Sequence, residues 1–412
     1  MQIFDVWKIR ENFPILKKTM NGRPLVYLDS AATTQKPQVV IDMIRRFYEE
    51  FYATVYRSTY ALATQATELY NVVREKTRKF INASTEEEVI FTRGTTESIN
   101  LVAHSFGKTF IAQGDEIIIS EMEHHSNIVP WQLLCKENGA QLRTIPIDDR
   151  GELRLDLFSQ MLNEKTKLVS LAHVTNVTGT INPIKFVIQK AHHYGAKVLI
   201  DGAQAASHIP IDVQDLDTDF YAFSGHKMYG PMGIGILYGK KELLEAMPPF
   251  MGGGDMIDEV SLDHSTFQAA PFKFEAGTPP VAEVLGLGVA IDYIESIGKG
   301  AIGAWQDELL RHATEKLLEF NGVRLIGTAA KKTSILSFIL EDLHPLDLGT
   351  LLSLKGIAVR TGHLCAQPTL RRFGAHTLTR LSLGLYNTYE EIDLCLHAIK
   401  EAATFLQPKL TH

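Results

Sequence analysis

The residues best suited to chemistry in this 412-residue chain directly follow apolar runs that predict strands. Lys227 comes after the run 219–224 and before a glycine-rich turn, and open α/β sheets bind their ligands at such strand ends. A single lysine in a turn is usually an ordinary surface residue. However, Asp201 ends another apolar run, and a carboxylate in that place could keep a pyridine nitrogen protonated. The two residues together predict a pyridoxal 5′-phosphate (PLP) site in which Lys227 is the Schiff-base lysine.

Two further segments extend the predicted site. In residues 92–100 a strand end is followed by Gly94, Thr95 and Thr96. Free N–H groups at the start of the following helix would form a phosphate cradle, although the same residues could be a capping box. His124 follows another predicted strand, where it could stack on a cofactor ring and exchange protons near neutral pH. For His124 the simpler alternative is a buried histidine with satisfied hydrogen bonds.

Composition and charge limit the kinds of partner. The chain carries a net charge of −7 with Lys and Arg scattered along it, so we expect neither nucleic acid nor membrane binding. Charged residues interrupt the first twelve residues, which predicts no signal peptide and no membrane span, and hence a cytoplasmic protein. Its three cysteines are far apart and lack metal-ligand spacing, which favours reduced thiols and predicts no metal site.

The elements that must position these residues alternate between short apolar strands and amphipathic helices from about residue 86 to 240. This alternation predicts an α/β fold with a mostly parallel sheet. The predicted strands are 88–92, 116–120, 141–145, 168–172, 197–201 and 219–224. The predicted helices are 36–51, 65–82, 94–106, 128–138, 155–162 and 183–194.

A smaller α+β domain is predicted to follow, because the pattern changes near residue 288. It comprises a long helix over 288–319, strands 323–326 and 333–340, and helices 346–355 and 389–406. We therefore expect three parts. They are an N-terminal segment 1–22 that packs on the small domain, a large PLP-binding domain 23–287, and a small domain 288–412 that carries a cysteine loop.

Eight motifs occur in order along nearly the whole chain. They are Tyr27-Leu-Asp-Ser-Ala-Ala32, Arg93-Gly-Thr-Thr-Glu97, Met122-Glu-His-His125, His173-Val-Thr-Asn176, Asp201-Gly-Ala-Gln204, Ser224-Gly-His-Lys-Met-Tyr-Gly-Pro231, Phe274-Glu-Ala-Gly-Thr-Pro279 and Arg360-Thr-Gly-His-Leu-Cys-Ala-Gln-Pro368. This series resembles that of the class V branch of fold-type I PLP-dependent transferases. Within that branch it is most similar to the Suf-type, or group II, cysteine desulfurases.

The resemblance implies a role for each residue around the cofactor. Lys227 would hold PLP and later act as acid and base, while His124 would stack on the ring. The ring would also be contacted by Asp201 and Gln204. The phosphate would be bound by Thr95, Thr96, Ser224 and His226, joined by Thr278 of the partner subunit, so the resemblance implies a homodimer.

The resemblance also implies the substrate and the reaction. L-cysteine would be held through its carboxylate by Asn176, Arg380 and Arg360. Cys365 would take the substrate sulfur as a persulfide and leave L-alanine. A Suf-type acceptor protein would then receive the sulfur for iron–sulfur cluster assembly.

The residues around Cys365 support this chemistry directly. Cys365 lies in a loop bounded by glycine and proline, and Arg360 and His363 are close enough in sequence to favour its thiolate. Cys135 and Cys395 lie in helical patterns and are expected to be buried and inert.

Alternatives remain, and the chain departs from the family pattern in places. Tyr56 and Tyr60 stand where histidines are usual, Ser58 replaces a glycine, and Leu364 replaces a second histidine in the cysteine loop. A selenocysteine lyase acting on L-selenocysteine, or an aminotransferase, could use the same cofactor site. A catalytically idle sulfur-assembly scaffold is the alternative from a different class, and the intact cofactor and cysteine motifs argue against it.

Overall fold

The structure is a computed structural model that describes residues 4–341 and 343–406. Its strands are β1 (Thr19–Met20), β2 (Arg23–Pro24), β3 (Val26–Tyr27), β4 (Val89–Thr92), β5 (Glu116–Ser120), β6 (Gln141–Ile145), β7 (Thr166–Ala172), β8 (Lys197–Asp201), β9 (Phe220–Ser224), β10 (Gly235–Gly239), β11 (Ile257–Val260), β12 (Ser265–Phe267), β13 (Val323–Ile326), β14 (Ile335–Leu340), β15 (Ile357–Ala358), β16 (Arg360–Gly362) and β17 (Leu378–Ser382).

The α-helices connect and cover these strands. They are α1 (Val6–Glu11), α2 (Gln38–Glu50), α3 (Ala61–Ile81), α4 (Thr95–Val102), α5 (Lys108–Phe110), α6 (Val129–Asn138), α7 (Leu155–Met161), α8 (Ile184–His193), α9 (Val213–Leu216), α10 (Lys241–Ala246), α11 (Val281–Ile297), α12 (Lys299–Leu317), α13 (Pro345–Leu354), α14 (Gln367–Arg372) and α15 (Tyr389–Leu406). Within residues 4–341 and 343–406, none of the helices is long and apolar enough to cross a membrane.

A seven-stranded sheet in the order β4-β10-β9-β8-β7-β5-β6 forms the centre of the large domain. Its strands β5 to β9 pair in parallel, so the α/β fold with a mostly parallel sheet is confirmed. Strand β10 was not predicted, because its glycine-rich start suggests a turn. It pairs antiparallel with both β4 and β9.

Apart from the edge strand β6, both faces of this sheet are buried, which explains why most of its strands are continuous apolar runs rather than alternating ones. In β5, Ile118 faces one hydrophobic cluster, whereas Ile117 and Ile119 face the cluster on the opposite side. The pairing of β8 with β9 places Asp201 beside Ala222, so the ends of both strands meet at one edge.

A four-stranded antiparallel sheet in the order β13-β14-β17-β16 forms the smaller domain. Within it, Arg380 of β17 lies directly opposite Arg360 of β16. Strand β3 pairs in parallel with β15, so the chain near Tyr27 joins this domain to the large one.

The predicted helix 288–319 is wrong as a single element. The chain instead forms α11 and α12, and the two meet at Gly298, which has a φ of +91°. A positive φ stops a helix and suits glycine, while the apolar pattern runs through both helices without a break. The predicted domain boundary at 287/288 falls inside α11, which packs on α2 and α3. The division into 1–22, 23–287 and 288–412 stays a prediction.

Candidate active site

A cavity of about 250 Å³ lies where β7, β8 and β9 end and the smaller domain covers the sheet edge. It collects side chains from motifs that are up to 349 residues apart, from Ala31 to Arg380 (380 − 31). The predicted site residues that line it are Thr95, Thr96, His124, Asn176, Asp201, Gln204, Ser224, His226, Lys227, Arg360, Cys365 and Arg380.

Lys227 follows β9 in a short 3₁₀ turn, and Asp201 ends the neighbouring strand β8. Burial lowers the pKa of Lys227, with Asp201 opposing that shift and Arg380 adding to it. A lysine with a lowered pKa has more of its amine in the neutral, nucleophilic form. Burial raises the pKa of Asp201, although its carboxylate accepts a hydrogen bond from the Ala203 N–H at 2.9 Å.

The residues predicted to bind the phosphate lie at the start of α4 and at the end of β9. Thr95 contacts Ser224 twice, through its N–H at 2.8 Å and through its hydroxyl at 2.7 Å. Thr96 pairs with the Ser126 hydroxyl at 2.7 Å. Ser126 itself was not predicted, since a serine after two histidines carries no distinctive signal.

His124 differs from the expectation that it exchanges protons near neutral pH. Burial, together with the charges of Lys227, His125 and Arg380, lowers the pKa of His124 to about 3. Its Nδ1 accepts a hydrogen bond from the Ser126 N–H at 3.1 Å. The imidazole is therefore neutral at pH 7, which suits stacking on a ring better than donating a proton.

Glu123, next to His124, is completely buried and was not predicted as part of the site. It accepts hydrogen bonds from the Ser120 hydroxyl, the Asn127 amide and the Ala172 N–H at 2.6, 2.6 and 2.9 Å. Burial is the largest cause that raises its pKa, from 4.5 to about 7, and the nearby charge of Asp201 adds to it.

We expect Glu123→Gln to weaken the pH dependence of stability. The folded protein binds the Glu123 proton more tightly than the unfolded chain does. Glu123 therefore makes its full contribution to the free energy of unfolding below pH 4.5, and this contribution is lost as the pH rises to about 7. The shift corresponds to about 3 kcal/mol. Urea unfolding between about pH 5 and pH 8 should therefore show a smaller loss of unfolding free energy in the variant.

A suitable control is Glu121→Gln, which changes a partly exposed carboxylate in the same loop. This control should keep the pH dependence of the unchanged protein. A glutamine at position 123 could still pair with Ser120, Asn127 and Ala172. If the free energy of unfolding of Glu123→Gln changed with pH as it does in the unchanged protein, the raised pKa assigned to Glu123 would be wrong.

Arg380 and Asn176, which are predicted to bind the substrate carboxylate, both line the cavity and are buried. Arg380 donates to the Asn176 carbonyl at 2.8 Å and to Asp29 Oδ1 at 3.0 Å. Asp29 is thus an unpredicted partner, although it lies within the motif of residues 27–32. The Asp29 carboxylate orients the Arg380 guanidinium. A planar guanidinium can donate two parallel hydrogen bonds to a substrate carboxylate.

The Cys365 loop joins β16 to α14 and closes one side of the cavity. The Cys365 N–H donates to His363 Nδ1 at 3.1 Å, and the Cys365 carbonyl accepts from the His125 N–H at 2.7 Å. His125 Nε2 also accepts from the Gln367 N–H at 3.2 Å. The loop is therefore held by His125, a residue for which the sequence predicted no role.

Comparison with known proteins identifies the family. The Aminotransferase class-V family model matches residues 26–395. This chain belongs to the class-V aminotransferase family.

Its relatives within this class-V family include cysteine desulfurases. One from Synechococcus elongatus is 52% identical over 401 residues, which cover 97% of this chain and 64% of that protein. One from Salmonella agona is 51% identical over 391 residues, covering 95% of this chain and 96% of that protein. The crystal structure of the cysteine desulfurase CsdA from Escherichia coli matches with a TM-score of 0.92 and 40% identity, covering 98% of this chain and all of that one.

Class-V aminotransferases and cysteine desulfurases depend on PLP, and the residues of this cavity fit that cofactor. Asp201 could pair with the pyridine nitrogen, Lys227 could bind the aldehyde carbon, and the start of α4 offers N–H groups and hydroxyls for a phosphate. His226 Nδ1 is buried and, within the described part of the chain, has no hydrogen-bond partner, so it is available to the cofactor. PLP is therefore the cofactor of this class-V protein.

Thr278 is the one predicted site residue that does not line the cavity. It is exposed and borders a separate cleft together with Arg93 and Glu97. Its place outside the cavity of its own chain is compatible with the predicted contact to the phosphate of a partner subunit.

Proposed function

We propose that this chain is a PLP-dependent cysteine desulfurase that converts L-cysteine into L-alanine and keeps the sulfur as a persulfide on Cys365. One observation carries the proposal: Cys365, Lys227 and Arg380 line the same cavity. An aminotransferase would have no need for a thiol in that place. The cysteine desulfurases of Synechococcus elongatus and Salmonella agona, which are about half identical to this chain, support the same reaction.

Different residues of the cavity bind the substrate and transfer its protons in this reaction. Arg380 and Asn176 bind the substrate carboxylate, which directs the substrate side chain toward Cys365. Bound PLP supplies an electron sink for the carbon next to that carboxylate. Lys227 moves protons to and from the substrate carbon atoms, and burial lowers the pKa of its amine.

Cys365 carries out the sulfur step in this proposal. Its thiolate attacks the substrate sulfur, a sulfur–sulfur bond forms, and the carbon–sulfur bond breaks with its electron pair on carbon. Proton transfer to that carbon then completes alanine. Arg360 and Arg380 line the same cavity as Cys365.

We propose further that the enzyme is of the Suf type, acts as a homodimer and supplies sulfur for iron–sulfur cluster assembly through an acceptor protein. The short link of residues 363–366 between β16 and α14 supports the Suf type, because it leaves no room for a long mobile cysteine loop. The exposed Thr278 supports the dimer. The need for a free Cys365 thiol supports a reducing compartment such as the cytoplasm.

The test is to record the visible spectrum of the purified protein and then to add L-cysteine, with assays for alanine and for persulfide by peptide mass spectrometry. We expect a yellow protein whose spectrum changes with cysteine, alanine formation, and one extra sulfur atom on Cys365. A yellow protein that makes no alanine from L-cysteine would contradict the desulfurase proposal, and turnover of L-selenocysteine alone would favour a selenocysteine lyase.

The chain spans 64% of the length of the Synechococcus elongatus relative and 59% of one from Mycolicibacterium paratuberculosis. The activity assay should therefore use the full 412-residue chain and not a shortened form of it.

A further inference from the structure

Leu364, the residue before Cys365, is buried in an apolar cluster beneath the cysteine loop. Its side chain is 5% exposed, although it stands where the family pattern usually has histidine. The other buried members of this cluster are Val177, Ile326, Ala366, Leu370, Ala375 and Leu378. The loop that carries the thiol is thus anchored in the protein interior by a hydrophobic side chain.

The backbone at this point adopts a conformation that needs such support. Leu364 has a φ of +52° and Cys365 a φ of +55°, and neither residue is glycine. The left-handed region is unfavourable for both side chains because Cβ approaches the backbone oxygen. Strain of this kind persists only where surrounding contacts hold it, and it is common at functional sites.

Hydrogen bonds hold the peptide groups of the loop, but they do not contact the Cys365 thiol. The direction of the thiol therefore depends on the conformation of the backbone. The Leu364 carbonyl accepts from the Asn176 amide at 2.7 Å, and the Cys365 carbonyl accepts from the His125 N–H at 2.7 Å. These bonds form equally well with any side chain at position 364. The apolar contact is therefore the part of the anchor that depends on leucine.

We propose that Leu364 is a positioning residue for sulfur transfer: its buried side chain offsets the cost of the left-handed backbone and fixes the Cys365 thiol in the cavity. The inference rests on the proposed desulfurase function.

The proposal is tested with Leu364→Ala, Leu364→Gln and Leu364→Met, with Leu370→Ala as the matched control. Leu370 is 1% exposed and belongs to the same cluster, but it lies in α14 rather than in the loop. Gln and Met have the same length, so this pair separates burial in the cluster from side-chain size.

The first measurement is the rate at which Cys365 of the PLP-loaded protein, without substrate, reacts with iodoacetamide and with a bulky fluorescein maleimide. Both reagents need the thiolate, so the ratio of the two rates reports access rather than thiolate fraction. The buried Cys135 and Cys395 serve as slow references in the same peptide maps.

We expect the maleimide-to-iodoacetamide ratio to rise about tenfold in Leu364→Ala and Leu364→Gln, and kcat for alanine formation to fall about tenfold at unchanged KM, because misplaced groups lose rate steeply. Leu364→Met keeps the side-chain volume and should stay within about twofold of the unchanged protein. Leu370→Ala should also stay within about twofold in both measurements, because Leu370 lies in α14 and not in the loop that carries the thiol, although the truncation lowers the stability of the fold. Should Leu364→Ala not fold, the comparison of Gln with Met decides.

Equal ratios in the Gln and Met variants, or an equal rise in Leu370→Ala, would overturn the proposal. The labelling requires no turnover of cysteine. A protein that shows the expected ratios but forms no alanine would therefore contradict the proposed function and leave the positioning role of Leu364 intact.

Discussion

Lys227→Ala should lose the visible absorption of the covalently held cofactor and form alanine about 10⁴-fold more slowly, or not at all. Acid–base catalysis alone contributes up to about 10⁴-fold, and the variant also lacks the amine that binds the cofactor. Burial lowers the pKa of this lysine, and its amine is the group that the substitution removes. The measurements are the absorption spectrum after addition of PLP and the initial rate of alanine formation.

Two other lysines, both half-buried, provide the controls. Lys332, whose pKa burial lowers to about 8, donates to the Gly327 carbonyl away from the cavity, so Lys332→Met should keep both colour and activity. Lys36, whose pKa burial lowers to about 7, donates to the carbonyls of Thr34 and His226. If Lys227→Ala kept its colour and Lys36→Met lost it, the assignment of Lys227 would be wrong.

Cys365→Ala should keep the absorption spectrum of bound PLP and its response to L-cysteine, yet lose alanine formation by at least about 10³-fold. The variant retains every residue proposed to bind cofactor and substrate, but it has no nucleophile to accept the sulfur. Spectroscopic titration with L-cysteine measures binding, and the alanine assay measures turnover. Binding without turnover is the expected combination.

Cys135→Ser and Cys395→Ser are the controls for that experiment. Both thiols are buried, and burial raises the pKa of Cys135 and raises that of Cys395 to about 12, so neither is a nucleophile near pH 7. The two serine variants should make alanine at the rate of the unchanged protein. Full desulfuration by Cys365→Ala would exclude the persulfide mechanism.

The parts of the fold that were predictable depend on neighbouring residues. Strands β5 and β8 have the predicted bounds, because each is a short apolar run that ends at a polar residue. Strand β6 also has the predicted bounds, although only Leu142 and Ile145 in it are apolar. The break at Gly298 and the antiparallel strand β10 were missed. In the first place a glycine ends a helix, and in the second a glycine begins a strand. The neighbouring residues do not distinguish these two roles.

The sequence by itself was enough to predict the PLP site and the chemistry proposed for Cys365: Lys227 and Asp201 follow apolar strands, Cys365 lies in a short loop, and these features are recognisable without the structure. Only the tertiary structure decided how these groups are held. Asp29 meets Arg380 across 351 residues, and His125 meets the Cys365 loop across 240 (365 − 125). Burial in the assembled cavity makes His124 neutral and encloses Leu364. Such contacts arise when distant segments pack together, and no local pattern of residues encodes them.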